Sequence, residues 1–137
     1  MIKVALAGHL GRTGSEVARA LAAADDVEYV GGVGRADDLD AFLDSKRPQV
    51  LVDFTHPSVA LENALVAVGR GVAPVVGTTG LAPDAVDRLE SACRKAGVGG
   101  VVAPNFAVGA VLMMHLASIA APYFDAVEVI EMHHAGK

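Results

Sequence analysis

From its second residue the chain alternates short β-branched runs with longer stretches of helical periodicity, and this alternation restricts its fold more than any other feature. The pattern predicts strands at Ile2–Ala7, Val27–Val33, Val50–Phe54, Val72–Val76 and Gly100–Ala103. Between them it predicts helices near Gly11–Ala24, Asp38–Ser45, Pro57–Gly69 and Pro83–Ala96, the third opening on a proline whose missing N–H costs nothing in a first turn. An apolar helix within Phe106–Phe124 and a sixth strand at Ala126–Met132 complete the expected order. Strands this apolar imply a parallel α/β sheet with helices on both faces. Right-handed crossovers then gather every strand-to-helix loop on one edge, and ligands of such sheets bind there.

Composition narrows the partners. The 137 residues suit one domain, and 53% apolar with 20% charged residues exclude a disordered tail. Aromatic residues make up only 4%, against a base-stacking nucleic-acid module, and a net charge of −5 offers a polyanion no general attraction. An anionic ligand must therefore be captured locally. The lone Cys93 allows no intrachain disulfide, and no charged segment precedes a cleavable apolar core at the N-terminus, so a reducing cytoplasm is the expected compartment. Phe106–Phe124 approaches the ~20 residues that span a bilayer. It lacks flanking Lys or Arg and is interrupted by Pro122, so the expectation is a helix buried on most sides, with His115 in a core or interface.

The first turn, Gly8-His9-Leu10-Gly11-Arg12-Thr13-Gly14, lies between the first strand and the first helix. Gly8 permits a tight turn, Gly11 lets backbone approach a diphosphate, and Gly14 allows close helix–strand contact. Free N–H groups at the helix start then meet the phosphates. The spacing is one residue off the commoner dinucleotide fingerprint, and its position at strand one and helix one gives it weight. Arg12 is a candidate for a further phosphate contact.

The second strand ends Val33-Gly34-Arg35, without the acid that usually receives an adenosine ribose; Glu28 lies at the strand's wrong end, and Asp37 and Asp38 lie slightly beyond. Arg35 is placed to face a 2′-phosphate. A charge-assisted hydrogen bond of ~1.5–3 kcal/mol would shift cofactor preference roughly ten- to a hundredfold, so NADPH is expected to be favoured, or both NADPH and NADH to be used. Three further loops share the ligand edge: Asp53-Phe54-Thr55-His56-Pro57, Gly77-Thr78-Thr79-Gly80 and Ala103-Pro104-Asn105-Phe106. Each offers hydroxyls, amides or backbone donors, although Thr55 and Asn105 also suit helix-capping roles.

The chain closes with Glu131-Met132-His133-His134-Ala135-Gly136-Lys137. Adjacent histidines on an extended segment point to opposite sides, which argues against a shared metal ion. An imidazole and an ammonium a few residues apart suit a proton donor and a carboxylate receptor.

Taken together, these motifs resemble those of the dihydrodipicolinate reductase (4-hydroxy-tetrahydrodipicolinate reductase) family of the diaminopimelate route to lysine. The resemblance runs through essentially the whole sequence, and Glu131–Lys137 is nearly diagnostic. It implies a Rossmann-type, doubly wound dinucleotide domain over residues 1–106 and the beginning of a substrate domain over 107–137, usually within a homotetramer. It also implies that Gly8, His9, Leu10, Gly11, Arg12 and Thr13 touch the nicotinamide dinucleotide, as do Gly77, Thr78, Thr79, Ala103, Pro104, Asn105 and Phe106. Arg35 matches the family's contact to the NADP phosphate, and Gly34 replaces an acid often used for the NAD ribose. His133 matches the proton donor and acceptor, His134 a substrate contact, and Lys137 a proton donor. The implied reaction is hydride transfer to a cyclic unsaturated dicarboxylate, with loss of water.

Two departures stand out. Thr13 occupies a position where methionine is common, and the family pattern continues past the lysine into an Asp-x-Pro-Ser-Gly-Thr-Ala loop that grips a substrate carboxylate. The chain as given is therefore expected to bind dinucleotide but to turn over poorly. A non-catalytic dinucleotide-sensing module would need the glycine turn without His133, His134 and Lys137, and an amino-acid dehydrogenase-like enzyme would share the fold with another substrate.

Overall fold

The computed structural model describes residues 1–103 and 105–130, in two compact units, Met1–Pro104 and Asn105–Lys137. In the first unit, β1 (Ile2–Ala7), α1 (Arg12–Ala23), β2 (Val27–Val33), α2 (Leu39–Lys46), β3 (Val50–Asp53), α3 (Pro57–Gly69), β4 (Ala73–Val76), α4 (Pro83–Ala96) and β5 (Val101–Val102) follow one another. The five strands form one parallel sheet in the order β2-β1-β3-β4-β5. The alternation of the sequence thus becomes a doubly wound sheet whose direction of winding reverses between β1 and β3. Such a reversal opens a crevice at the carboxyl ends of the strands.

Register explains where the core forms. Ala5 pairs with Leu51 and Leu51 with Pro74, while Ala7 pairs with Asp53 and Asp53 with Val76, so these side chains share one face. On that face Ala5, Ala7 and Leu51 pack with Leu43 of α2 and Ala67 of α3. Farther along the sheet, Val76 packs with Ala60 and Ala64 of α3 and with Leu89 and Cys93 of α4. Ala60, Ala64 and Ala67 recur at helical spacing, and their short side chains let α3 lie close to the strands. Between Val4 and Ala5 the pairing with β2 slips by one residue, at a bulge beside Gly31, whose φ of 119° suits only glycine.

Helix ends are set by local chemistry. Asp38 caps α2 by accepting from the Ala41 N–H at 3.1 Å, and Arg47 at φ 47° closes it. His56, not Thr55, caps α3, its Nδ1 accepting from the Ser58 N–H at 3.2 Å. Gly97, at φ 67°, ends α4.

The second unit contains α5 (Val108–Ala120) and a 3₁₀ turn, Ala121–Tyr123. The apolar helix falls within Phe106–Phe124, as expected, its start set by the Asn105 Oδ1, which accepts from the Ala107 N–H at 2.8 Å. Two other expectations are corrected here. The core placement expected for this helix and for His115 does not occur within the chain: none of the helix residues is buried and His115 is exposed, because the described residues of this unit supply no second layer to pack against. The strand expected at Ala126–Met132 is also absent from residues 126–130, where no strand pairs with it; Met132 lies outside the described residues. No helix among the described residues is long and apolar enough to cross a membrane.

Candidate functional site

The glycine turn is held by its neighbours on both sides. The Gly8 N–H donates to the Val33 carbonyl at 3.0 Å, and the Phe54 N–H donates to the Ala7 carbonyl at 3.1 Å, so the ends of β1, β2 and β3 converge. Gly8 has φ 83°, and a Cβ there would lie 2.5 Å from the Phe54 carbonyl oxygen. A Cβ at Gly14 would collide with the Gly8 carbonyl. These two positions require glycine on steric grounds. Gly14 therefore packs on the turn itself, where the sequence led us to expect contact between helix and strand.

The start of α1 is open. Its N-cap residue is Gly11, no side chain caps it, and no acid lies in its first turn. Arg12 and Thr13 are exposed there, and Leu10 is 81% exposed. N–H groups left unsatisfied at a helix start form a ready receptor for an anion. The first turns of α2 and α3 are capped by Asp38 and His56, whereas α4, which like α1 has no side-chain cap, carries Asp84 in its first turn. His9 lies against the Gly32 backbone, and its Nδ1 is buried without a hydrogen-bond partner. A glycine cradle and an uncapped helix start fit a diphosphate-bearing ligand seated across the turn.

The loops after β3 and β4 are joined by a buried carboxylate that the sequence showed only as part of a motif. Asp53, 1% exposed, accepts at Oδ1 from the Thr55 N–H at 3.0 Å, the Thr55 hydroxyl at 2.7 Å and the Thr78 hydroxyl at 2.7 Å. Its Oδ2 accepts from the Asn63 amide of α3 at 2.9 Å. The Gly77 N–H donates to the Asp53 carbonyl at 2.9 Å, and the Ala103 N–H donates to the Val76 carbonyl at 3.0 Å. Thr78 thus turns its side chain inward, whereas Thr79 is exposed. Asn63 and Thr78 are neighbours of the Asp53 carboxylate that chain spacing alone could not reveal, since they lie 10 and 25 residues beyond it.

Among the other candidates, Arg35 is exposed beyond the end of β2, and Glu28 lies at the start of that strand, 4.0 Å from Lys3. Asn105 and Phe106 belong to the second unit, and Pro104, His133, His134 and Lys137 lie outside the described residues. No cluster of metal-ligating side chains occurs among the described residues. Burial pushes the Cys93 thiol above its ordinary pKa, which disfavours the nucleophilic thiolate. Two shallow concavities, one beside α4 near Cys93 and one beside α2 near Leu43, lie away from the glycine turn. The turn lies at the carboxyl end of β1, where the strand order reverses and where sheets of this kind hold their ligands.

Comparison with known proteins bears directly on this arrangement. Residues 2–106 match the family model described as "Dihydrodipicolinate reductase, N-terminus". A 4-hydroxy-tetrahydrodipicolinate reductase from Moorella thermoacetica is 42% identical over 156 aligned positions, covering 99% of this chain and 58% of its own length. One from Coxiella burnetii is 44% identical over 136 positions, covering 99% and 57%. A dipicolinate-bound dihydrodipicolinate reductase from Paenisporosarcina sp. TG-14 superimposes with a TM-score of 0.89 at 33% identity, over 100% of this chain and 60% of that one. The chain therefore spans a little under three fifths of the length of these relatives.

Proposed function

The chain belongs to the dihydrodipicolinate reductase family, and on that premise we propose that it supplies the dinucleotide-binding part of a 4-hydroxy-tetrahydrodipicolinate reductase. Residues 1–106 form the dinucleotide domain and 107–137 begin the substrate domain. The observation that carries the reading is the uncapped start of α1 above the Gly8–Gly14 cradle.

In this reading the N–H groups of Arg12 and Thr13, in the first turn of α1, hold the diphosphate, with Gly8, His9, Leu10 and Gly11 forming the wall of the turn, the Gly11 N–H being engaged by the Gly8 carbonyl. Arg35 faces a 2′-phosphate, so NADPH is bound at least as well as NADH. Gly77, Thr78 and Thr79 border the other nucleoside through backbone groups, because the Thr78 hydroxyl is already engaged by Asp53. Ala103, Pro104, Asn105 and Phe106 complete the cofactor contacts. A reduced nicotinamide, when bound, supplies a hydride. His133 and Lys137 deliver the accompanying proton as charge develops on the substrate, and His134 contacts a substrate carboxylate. The substrate is a small cyclic unsaturated dicarboxylate, reduced to tetrahydrodipicolinate with loss of water, in a homotetramer in the cytoplasm.

Calorimetric titration of the folded chain with NADPH and with NADH tests the first step. The expected result is a saturable complex that is lost in Gly14→Val, whose circular dichroism checks folding. Well-folded wild-type chain that takes up neither coenzyme would overturn the proposal.

A further inference from the structure

The diphosphate position at α1 sets where the rest of a dinucleotide lies. With the sheet order β2-β1-β3, one nucleoside extends over the end of β2 and the other toward β3 and β4. The nucleoside over β2 presents ribose hydroxyls, which call for a hydrogen-bond acceptor at the strand tip. The residue directly after the strand, Gly34, has no side chain to offer.

The chain brings a carboxylate back to that point from three residues farther on. The Asp37 N–H donates to the Gly34 carbonyl at 3.3 Å, and the Gly34 N–H donates to the Asp37 Oδ2 at 2.7 Å. A Cβ at residue 34 would lie 3.3 Å from the same oxygen, 3.6 Å from Leu10 Cδ1 and 3.8 Å from His9 Cε1. The carboxylate thus stands in contact with the point where a residue-34 side chain would begin, a point that also neighbours two side chains of the glycine turn. Asp37 is exposed, and its Oδ1 makes no hydrogen bond among the described residues. The neighbouring acids are committed elsewhere: Asp38 caps α2, and Asp40 pairs with Arg70. One uncommitted acceptor beside the largely apolar Leu10 matches a nucleoside, whose base is apolar on its face and whose ribose is a donor.

We propose that Asp37 is a specificity-determining residue, accepting from the adenosine ribose of an unphosphorylated dinucleotide and opposing a 2′-phosphate. The inference rests on the dinucleotide reading above. Asp37 and Arg35 then set opposite preferences from a single turn, and the chain accepts both NADH and NADPH.

Calorimetric Kd values for both coenzymes, on the whole chain and on Asp37→Asn and Asp37→Ala, test this. Asparagine retains an acceptor for the Gly34 N–H but loses the charge; alanine loses both. In either variant NADH should weaken about tenfold while NADPH holds or tightens, so the ratio of the two constants moves toward NADPH. Thermal melting of each variant confirms folding. Parallel changes in both constants, or none, would overturn the proposal and reduce Asp37 to a brace of the turn. A wild-type chain that binds neither coenzyme would instead remove the dinucleotide reading on which it stands.

Discussion

The two ends of the ligand edge are built on opposite principles. Around β3 and β4, Asp53 is buried and accepts four hydrogen bonds from Thr55, Thr78 and Asn63. Around the end of β2, Arg35 and Asp37 are exposed, and the one described bond of the Asp37 carboxylate is to a backbone N–H. A satisfied buried network is costly to alter because each deletion strands several partners. An exposed turn changes at little cost to folding. One end therefore holds the loops in place, and the other, in the proposed dinucleotide reading, can be retuned toward a different coenzyme.

The sharpest way to break this contrast is at Asp53. Asp53→Leu keeps the branching of the side chain, puts the bulk of two methyl groups in place of its oxygens, and leaves the hydroxyls of Thr55 and Thr78 and the amide of Asn63 without their acceptor. We expect a loss of about 3 kcal/mol or more in urea unfolding. Asp53→Asn should cost clearly less, since the Asn63 amide can turn its oxygen toward the new N–H₂ group. Equal losses for the two substitutions would show that the network contributes little beyond packing. Next in size is Gly14→Val, in which the new side chain collides with the Gly8 carbonyl. Strain of ~1–3 kcal/mol is expected, with loss of coenzyme binding by calorimetry. At the other end of the edge, Arg35→Ala should leave the melting temperature almost unchanged while weakening NADPH roughly ten- to a hundredfold. A comparable loss of thermal stability in Arg35→Ala and Asp53→Leu would erase the distinction.

How far the sequence could be read follows the same division. β1, β2, α3 and α4 have the expected bounds because β-branched runs and flanking Gly and Pro are local signals. Gly8 and Gly14 were legible for the same reason. The Asp53 network was not, because Thr78 reaches Asp53 only once β3 and β4 have paired. Asp37 was passed over because position along the strand places it too far on, and only the turn's hydrogen bonds bring it back. In the second unit, apolar periodicity identified α5 but overstated its burial, since a moment or a run of apolar residues does not supply the surface it packs on. The alternating Val127, Val129 pattern likewise resembles a strand, but a strand also needs a neighbour to pair with.

The smallest expected effect separates two adjacent acids. Asp38 follows Asp37 directly, yet its carboxylate accepts from the Ala41 N–H and caps α2, whereas Asp37 turns to Gly34. Asp38→Ala should therefore lower stability by about 1 kcal/mol, the usual worth of an N-cap, read as a shift in the urea midpoint. The ratio of NADH to NADPH affinity should stay where it is, because the lost bond lies within the helix. If Asp38→Ala moved that ratio as far as Asp37→Asn does, the general negative charge of the segment would be setting coenzyme preference, and the placement of one carboxylate at the tip of β2 would not be the cause.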